Sequence, residues 1–142
     1  MKKALLILPE RYNFYKSIND SLGQMGYDVK LIDYFNIIKS PKSILGKIFS
    51  RIKYGKKKFE KIQLTVNAHY CDEFNKIKPD IIVVYNEQLL LPSTLELFKK
   101  SDVKIIFILG DNPLALAPTN IYNLSILFFA DLIICPDSSW KL

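Results

Sequence analysis

Five short apolar runs punctuate the chain: Lys3 to Leu8, Asp28 to Tyr34, Asp80 to Tyr85, Val103 to Leu109, and Asp131 to Cys135. Four are nearly continuous and β-branched, the pattern of strands covered on both faces. The second alternates instead, with Val29, Leu31 and Asp33 set against Lys30, Ile32 and Tyr34. Helical periodicity fills the intervals. Phe14, Ile18, Leu22 and Met25 mark a helix over Tyr12 to Met25, and Gly26 supplies its stop. Ile62, Val66, Tyr70, Phe74 and Ile77 mark a longer helix from about Phe59 to Ile77, which Lys78-Pro79 ends. Pro92 suits the first turn of a helix reaching about Lys100, and Ile121 to Ala130 forms a more apolar helical run.

Strands alternating with helices predict an α/β fold, a Rossmann-like open, mostly parallel five-stranded sheet with helices on both faces. Right-handed crossovers leave few topologies, and the order 3-2-1-4-5 is expected. A length of 142 residues fits one domain over 1–142. The last strand has no helix after it to cover the sheet, so the domain is expected to continue in a longer protein.

Composition narrows the setting. Cys71 and Cys135 form no Cys-x-x-Cys and no disulfide framework, so a reducing, cytoplasmic compartment is expected. The run Ala4 to Leu8 is too short for a signal core, and no stretch approaches the ~20 apolar residues of a membrane span. The net charge of +6 is local. Residues 39–61 hold nine Lys or Arg against Glu60 alone. Within the basic segment 42–61, Ile44, Leu45, Ile48, Phe49 and Ile52 share one helical face, with Lys42, Lys47, Arg51 and Lys53 largely elsewhere. Two readings fit. The helix packs its apolar face on the sheet with solvated lysines, or it lies on an anionic membrane surface at the inner face. No nucleic-acid motif accompanies the patch, and no nucleic-acid partner is expected.

Ligands of open α/β sheets bind beyond the carboxyl ends of the strands. Here those ends are polar: Glu10, Arg11, Tyr12 and Asn13 after the first strand, Asn86, Glu87 and Gln88 after the third, Gly110, Asp111, Asn112 and Pro113 after the fourth, and Asp137 and Ser138 after the fifth. The segment after the first strand has no glycine, so a dinucleotide fingerprint is missing, as is a Walker phosphate loop. A phosphate-accepting receiver domain needs an acidic pair after strand one and an Asp ending strand three, where Glu10 stands alone and Asn86 follows. His69 is the only histidine and reads as an ordinary helix residue, so no metal site and no cofactor are expected. Neither Asp-x-Asp nor Gly-x-Ser-x-Gly occurs.

Three segments carry a resemblance: Lys78-Pro79-Asp80 leading into Ile81 to Val84, Ile105 to Leu109 ending in Gly110-Asp111-Asn112-Pro113, and Ala130-Asp131-Leu132-Ile133-Ile134-Cys135-Pro136-Asp137. With the opening strand, they resemble the N-terminal half of CgeB-like glycosyltransferases, which are similar to GT-B enzymes built from two Rossmann-like domains. Asn112 departs from the family's commoner second acid. The resemblance implies an acceptor-binding domain whose partner, a C-terminal nucleotide-sugar domain, lies elsewhere, with metal-independent transfer to a glycan, lipid or protein acceptor and no activity in this chain alone. It implies Asp111 first and Glu10 second as catalytic carboxylates, because a carboxylate at the cleft takes the acceptor hydroxyl's proton. A cap or turn role before Pro113 suits Asp111 equally. Arg11, Tyr12, Asn13, Asn86, Glu87, Asn112, Asp137 and Ser138 are then the acceptor-binding candidates.

Overall fold

The computed structural model describes residues 1–10, 14–37, 56–85, 89–110 and 125–135. The elements are β1 (Lys2–Ile7), α1 (Phe14–Gln24), β2 (Tyr27–Ile32), α2 (Tyr34–Ile37), α3 (Lys56–Ile77), β3 (Ile81–Tyr85), α4 (Pro92–Lys99), β4 (Lys104–Ile108), a 3-10 turn (Ile126–Phe129) and β5 (Leu132–Ile134). All five strands are parallel. Leu6 sits opposite Leu31 on one side and Val83 on the other, and Val83 pairs onward with Ile106. The fold is α/β and Rossmann-like, as the alternation of patterns predicts.

The strand order is β2-β1-β3-β4-β5, which corrects the expected 3-2-1-4-5. The physical reason lies in β2. Asp28 and Lys30 are exposed, while Tyr27, Val29 and Leu31 are only partly covered. A strand with charges along one face belongs at an edge, where they also discourage pairing with another chain. The uniformly apolar β3 takes the inner place beside β1. A second difference follows Ile32. Tyr34 does not continue the strand but opens α2, because the Asp33 carboxylate accepts the Phe35 N–H at 2.9 Å and caps the turn.

Alternate residues of each strand feed two cores. Leu5, Ile7, Ile82, Val84, Ile105 and Phe107 lie under α3 and α4 with Val66, Tyr70, Phe74 and Phe98. The Phe74 and Phe98 rings stack with centroids 4.4 Å apart, joining the two helices. Each such buried side chain contributes roughly 1.5–3 kcal/mol of hydrophobic stabilisation. Ala4, Leu6, Leu8 and Val83 form the other core with Leu22 of α1. On that face Leu132 is 51% exposed and Ile134 44%, and Ile106 and Ile108 beside them are half-buried.

The helices end as their sequences dictate. Gly26 takes φ +84 after α1, a conformation open to glycine. Lys78 takes φ +50, and its N–H closes onto the Phe74 carbonyl at 2.8 Å, so α3 stops before Pro79. Pro92 occupies the first turn of α4.

One arrangement occurs twice at the amino end of the sheet. The Asp80 N–H donates to the Lys3 carbonyl at 2.9 Å, and its carboxylate accepts the Lys3 N–H at 2.7 Å. The Asp131 N–H donates to the Ile105 carbonyl at 2.8 Å, and its carboxylate accepts the Ile105 N–H at 2.8 Å. Each aspartate thus closes a ring with one residue of the adjacent strand. Lys99 also bonds Asp131, and Lys104 lies 3.5 Å from it. These cations and the Ile105 N–H hold the Asp131 carboxyl below its ordinary value, the Lys99 hydrogen bond foremost.

Candidate functional site

With β1 between β2 and β3, the chain leaves β1 toward one side and β3 toward the other, so the strand order reverses between them. In open sheets the crevice beyond the carboxyl ends at this reversal receives ligands. Glu10 stands there, just past β1, exposed. Its N–H donates to the Asp33 carboxylate at 3.1 Å. Asp33 therefore spends one oxygen on the segment leaving β1 and the other on α2. In dinucleotide-binding folds an acid near this place holds a ribose hydroxyl. Here both oxygens of Asp33 serve the backbone.

Past β3, a buried amide organises the chain. Asn67 of α3 is 4% exposed. Its Nδ2 donates to the carbonyls of Gln63 and Leu89, both at 2.7 Å. Its Oδ1 accepts the Leu91 N–H at 2.9 Å and the Thr94 hydroxyl at 2.7 Å. One side chain thus uses its whole hydrogen-bonding capacity and fixes how the chain passes from the β3 loop into α4. Gln63, one turn earlier on α3, is also buried, yet its Nε2 has no partner.

Of the residues singled out from sequence, Glu10 is described, exposed just past the carboxyl end of β1. Asp111, Arg11, Tyr12, Asn13, Asn86, Glu87, Asn112, Asp137 and Ser138 lie outside the described residues, as do Lys42, Lys47, Arg51 and Lys53. Sequence reasoning missed Asp33, Gln63 and Asn67. A polar pair four apart on the buried face of a helix, Gln63 and Asn67 beside Val66 and Tyr70, was the available signal.

The thiol of Cys71, one turn after Asn67 on α3, is muted. Burial pushes the Cys71 thiol up, against a hydrogen bond with Thr94 that lowers it, which keeps it in the protonated, poorly nucleophilic form. Among the described residues no cluster of three or more His, Cys, Asp or Glu could hold a metal ion. Among them, too, no helix is long and apolar enough to cross a membrane. Asp80 and Asp131, which sit in two of the segments carrying the family resemblance, are at the opposite end of the sheet from the crevice.

No family model and no curated protein matches the sequence. Among solved structures, the chain is similar to S. aureus MnaA in a co-structure with UDP, at a TM-score of 0.62 and 17% identity. That likeness covers 96% of this chain and 38% of the MnaA chain. A CheY-like response regulator from Mesorhizobium loti is similar at a TM-score of 0.50 and 13% identity, over 95% of this chain and 86% of that one. At these identities the likeness shows the Rossmann-like α/β fold. The chain spans well under half the length of MnaA.

Proposed function

We propose that this chain is the acceptor-binding N-terminal domain of a nucleotide-sugar-dependent, GT-B type glycosyltransferase, inactive without a second Rossmann-like domain. The observation that carries the reading is the unequal coverage of the MnaA likeness. Nearly all of this chain matches 38% of a longer protein solved with UDP. The crevice chemistry supports the same division of labour. No glycine-rich phosphate loop follows β1, and the acid at β2 is committed to backbone. Nucleotide binding then falls to the other domain, and the crevice between the β1 and β3 loops takes the acceptor.

In this reading the residues past β1 and β3, Glu10 to Asn13 and Asn86 to Glu87, orient the acceptor. Asp111 accepts the proton of its hydroxyl as that oxygen attacks the sugar's anomeric carbon, and the nucleotide leaves with the bonding pair. The response-regulator likeness favours no phosphotransfer alternative, because Asn86 follows β3 where an aspartate would be needed.

The test uses the natural full-length protein. Incubated with UDP-sugars and a panel of glycan and lipid acceptors, it is expected to release UDP in an acceptor-dependent way. Asp111→Asn is expected to cut kcat at least a hundredfold, within the range of general-base catalysis, with the KM for the donor unchanged. A natural reading frame with no second nucleotide-binding domain would sink the proposal.

A further inference from the structure

We infer that Ile106, Ile108, Leu132 and Ile134, on the face of the sheet that α1 covers only in part, form a docking surface for the segment that follows β5, with the Trp140 indole seated on it. The surface lies wholly within the described residues, and the segment that docks there, residues 136–142, lies outside them.

The surface is apolar and continuous. Ile106 pairs with Leu132 and Ile108 with Ile134, so the four side chains share the face that carries Leu6 and Val83. Leu22 of α1 buries that face over β1 and β3. Over β4 and β5 the cover runs out, and Leu132 and Ile134 are exposed. Toward the carboxyl end the row extends through Tyr85, which pairs with Ile108, to Phe14, whose ring lies 5.2 Å from that of Tyr85. The opposite edge strand, β2, turns Asp28 and Lys30 to water. β5 has no charge between Leu132 and Ile134 to keep its edge solvated, and a contiguous bare apolar surface of this kind marks a place where something packs.

Topology narrows what can cover it. The steps from β3 to β4 and from β4 to β5 run the same way across the sheet, and α4 and the 3-10 turn that accompany them pack on the α3 face. Right-handed crossovers put a helix leading to any strand beyond β5 on that face as well. Extending the sheet therefore leaves the surface bare, and its cover has to double back from the carboxyl end of β5. Residues 136–142 start two positions past Ile134 and can span roughly 23 Å, whereas Leu132 and Ile134 are roughly 7 Å apart along the strand. They include Trp140 and Leu142 on either side of Lys141, an alternation that suits one apolar and one solvated face. An indole buries roughly 150–250 Å² and keeps its N–H at a wet rim, which fits a shallow surface at a sheet edge.

Trp140 is the only tryptophan, so the fluorescence of the full 142-residue chain reports on it alone. Its emission is expected to lie to the blue of N-acetyltryptophanamide, with slower quenching by acrylamide. The double variant Leu132→Lys, Ile134→Lys changes side chains that are already exposed, and it is expected to move the emission to the red while far-UV circular dichroism stays unchanged. Methyl NMR gives a reading that needs no change to the sheet. Trp140→Leu is expected to remove ring-current shifts from the methyl groups of Ile108, Leu132 and Ile134 and to leave those of Leu5 and Val84 in place. Emission and quenching equal to those of the free indole overturn the inference. So do a blue emission that survives in the folded double variant and methyl shifts that do not respond to Trp140→Leu. A blue emission that fades on dilution means that a second copy covers the surface, and it overturns docking within the chain.

Discussion

At the amino end of the sheet, Asp80 and Asp131 hold neighbouring strands through charged carboxylates in contact with water, whereas at the carboxyl end Asn67 holds residues 89–94 through a neutral amide shut away from it. The Asp131 tie answers to pH and salt, and the Asn67 tie does not. The first is tolerant, because water can replace a lost partner. The second is unforgiving, because water does not reach its partners to replace a lost bond. A site that must keep its geometry as ligands and solvent exchange is better anchored by the second kind.

The largest effect expected from this contrast is at Asn67. Asn67→Ala removes the amide shared by the Leu89 carbonyl, the Leu91 N–H and the Thr94 hydroxyl, and a loss of about 2–4 kcal/mol in urea unfolding is expected. Amide exchange at Leu91 should rise more than exchange in β1. A cost under about 1 kcal/mol would erase the distinction between the two ends.

Asp131→Ala comes next, at about 1–2 kcal/mol near neutral pH, since the lost bonds are charge-assisted but partly solvated. The Asp131 carboxyl is held below the ordinary 3.8, chiefly by Lys99, so the folded state binds its proton less readily than the unfolded chain. Its contribution is present above pH 3.8 and is lost as the pH falls below it through the folded-state value. Wild type and Asp131→Ala should therefore converge in stability in strong acid, while Asn67→Ala keeps its deficit there. Persistence of the Asp131 gap under acid would refute the electrostatic account.

The smallest effect expected is at Glu10. Its side chain is exposed, and its tie to Asp33 runs through the backbone N–H. Glu10→Gln should shift stability by less than about 0.5 kcal/mol, and any change it makes should appear in saccharide titrations instead. A substantial stability loss would move Glu10 from the chemistry of the crevice to its scaffolding.

The strands, the stop at Gly26, the end of α3 before Pro79 and the start of α4 at Pro92 were all legible in the sequence, because each depends on residues close together in the chain. Strand order was not expected as it stands, although Asp28 and Lys30 carried the clue. Charges that interrupt an apolar strand mark an edge, and that information is spatial rather than periodic. At the crevice, Glu10 could be named because it follows a strand. Asn67 and Gln63 could not, since their meaning comes from groups up to 27 residues away and from the lack of one. Asp80 and Asp131 stood out in the motifs that carry the family resemblance, and the structure gives both a backbone-pairing role far from the crevice.

That pairing role bears on how the chain finds its fold. Sliding one parallel strand past another by two residues would return every side chain to its own face, and runs such as Ile81 to Val84 or Leu132 to Ile134 would bury almost as much oil in the wrong alignment. Hydrophobicity alone hardly distinguishes these mispaired sheets from the right one. Asp131 does, because its carboxylate also meets the Lys99 and Lys104 ammonium groups, side-chain partners that a slipped strand would carry it away from. The ion-paired ring at Asp131 acts as an alignment key for β5 against β4, where hydrophobic burial alone offers little choice.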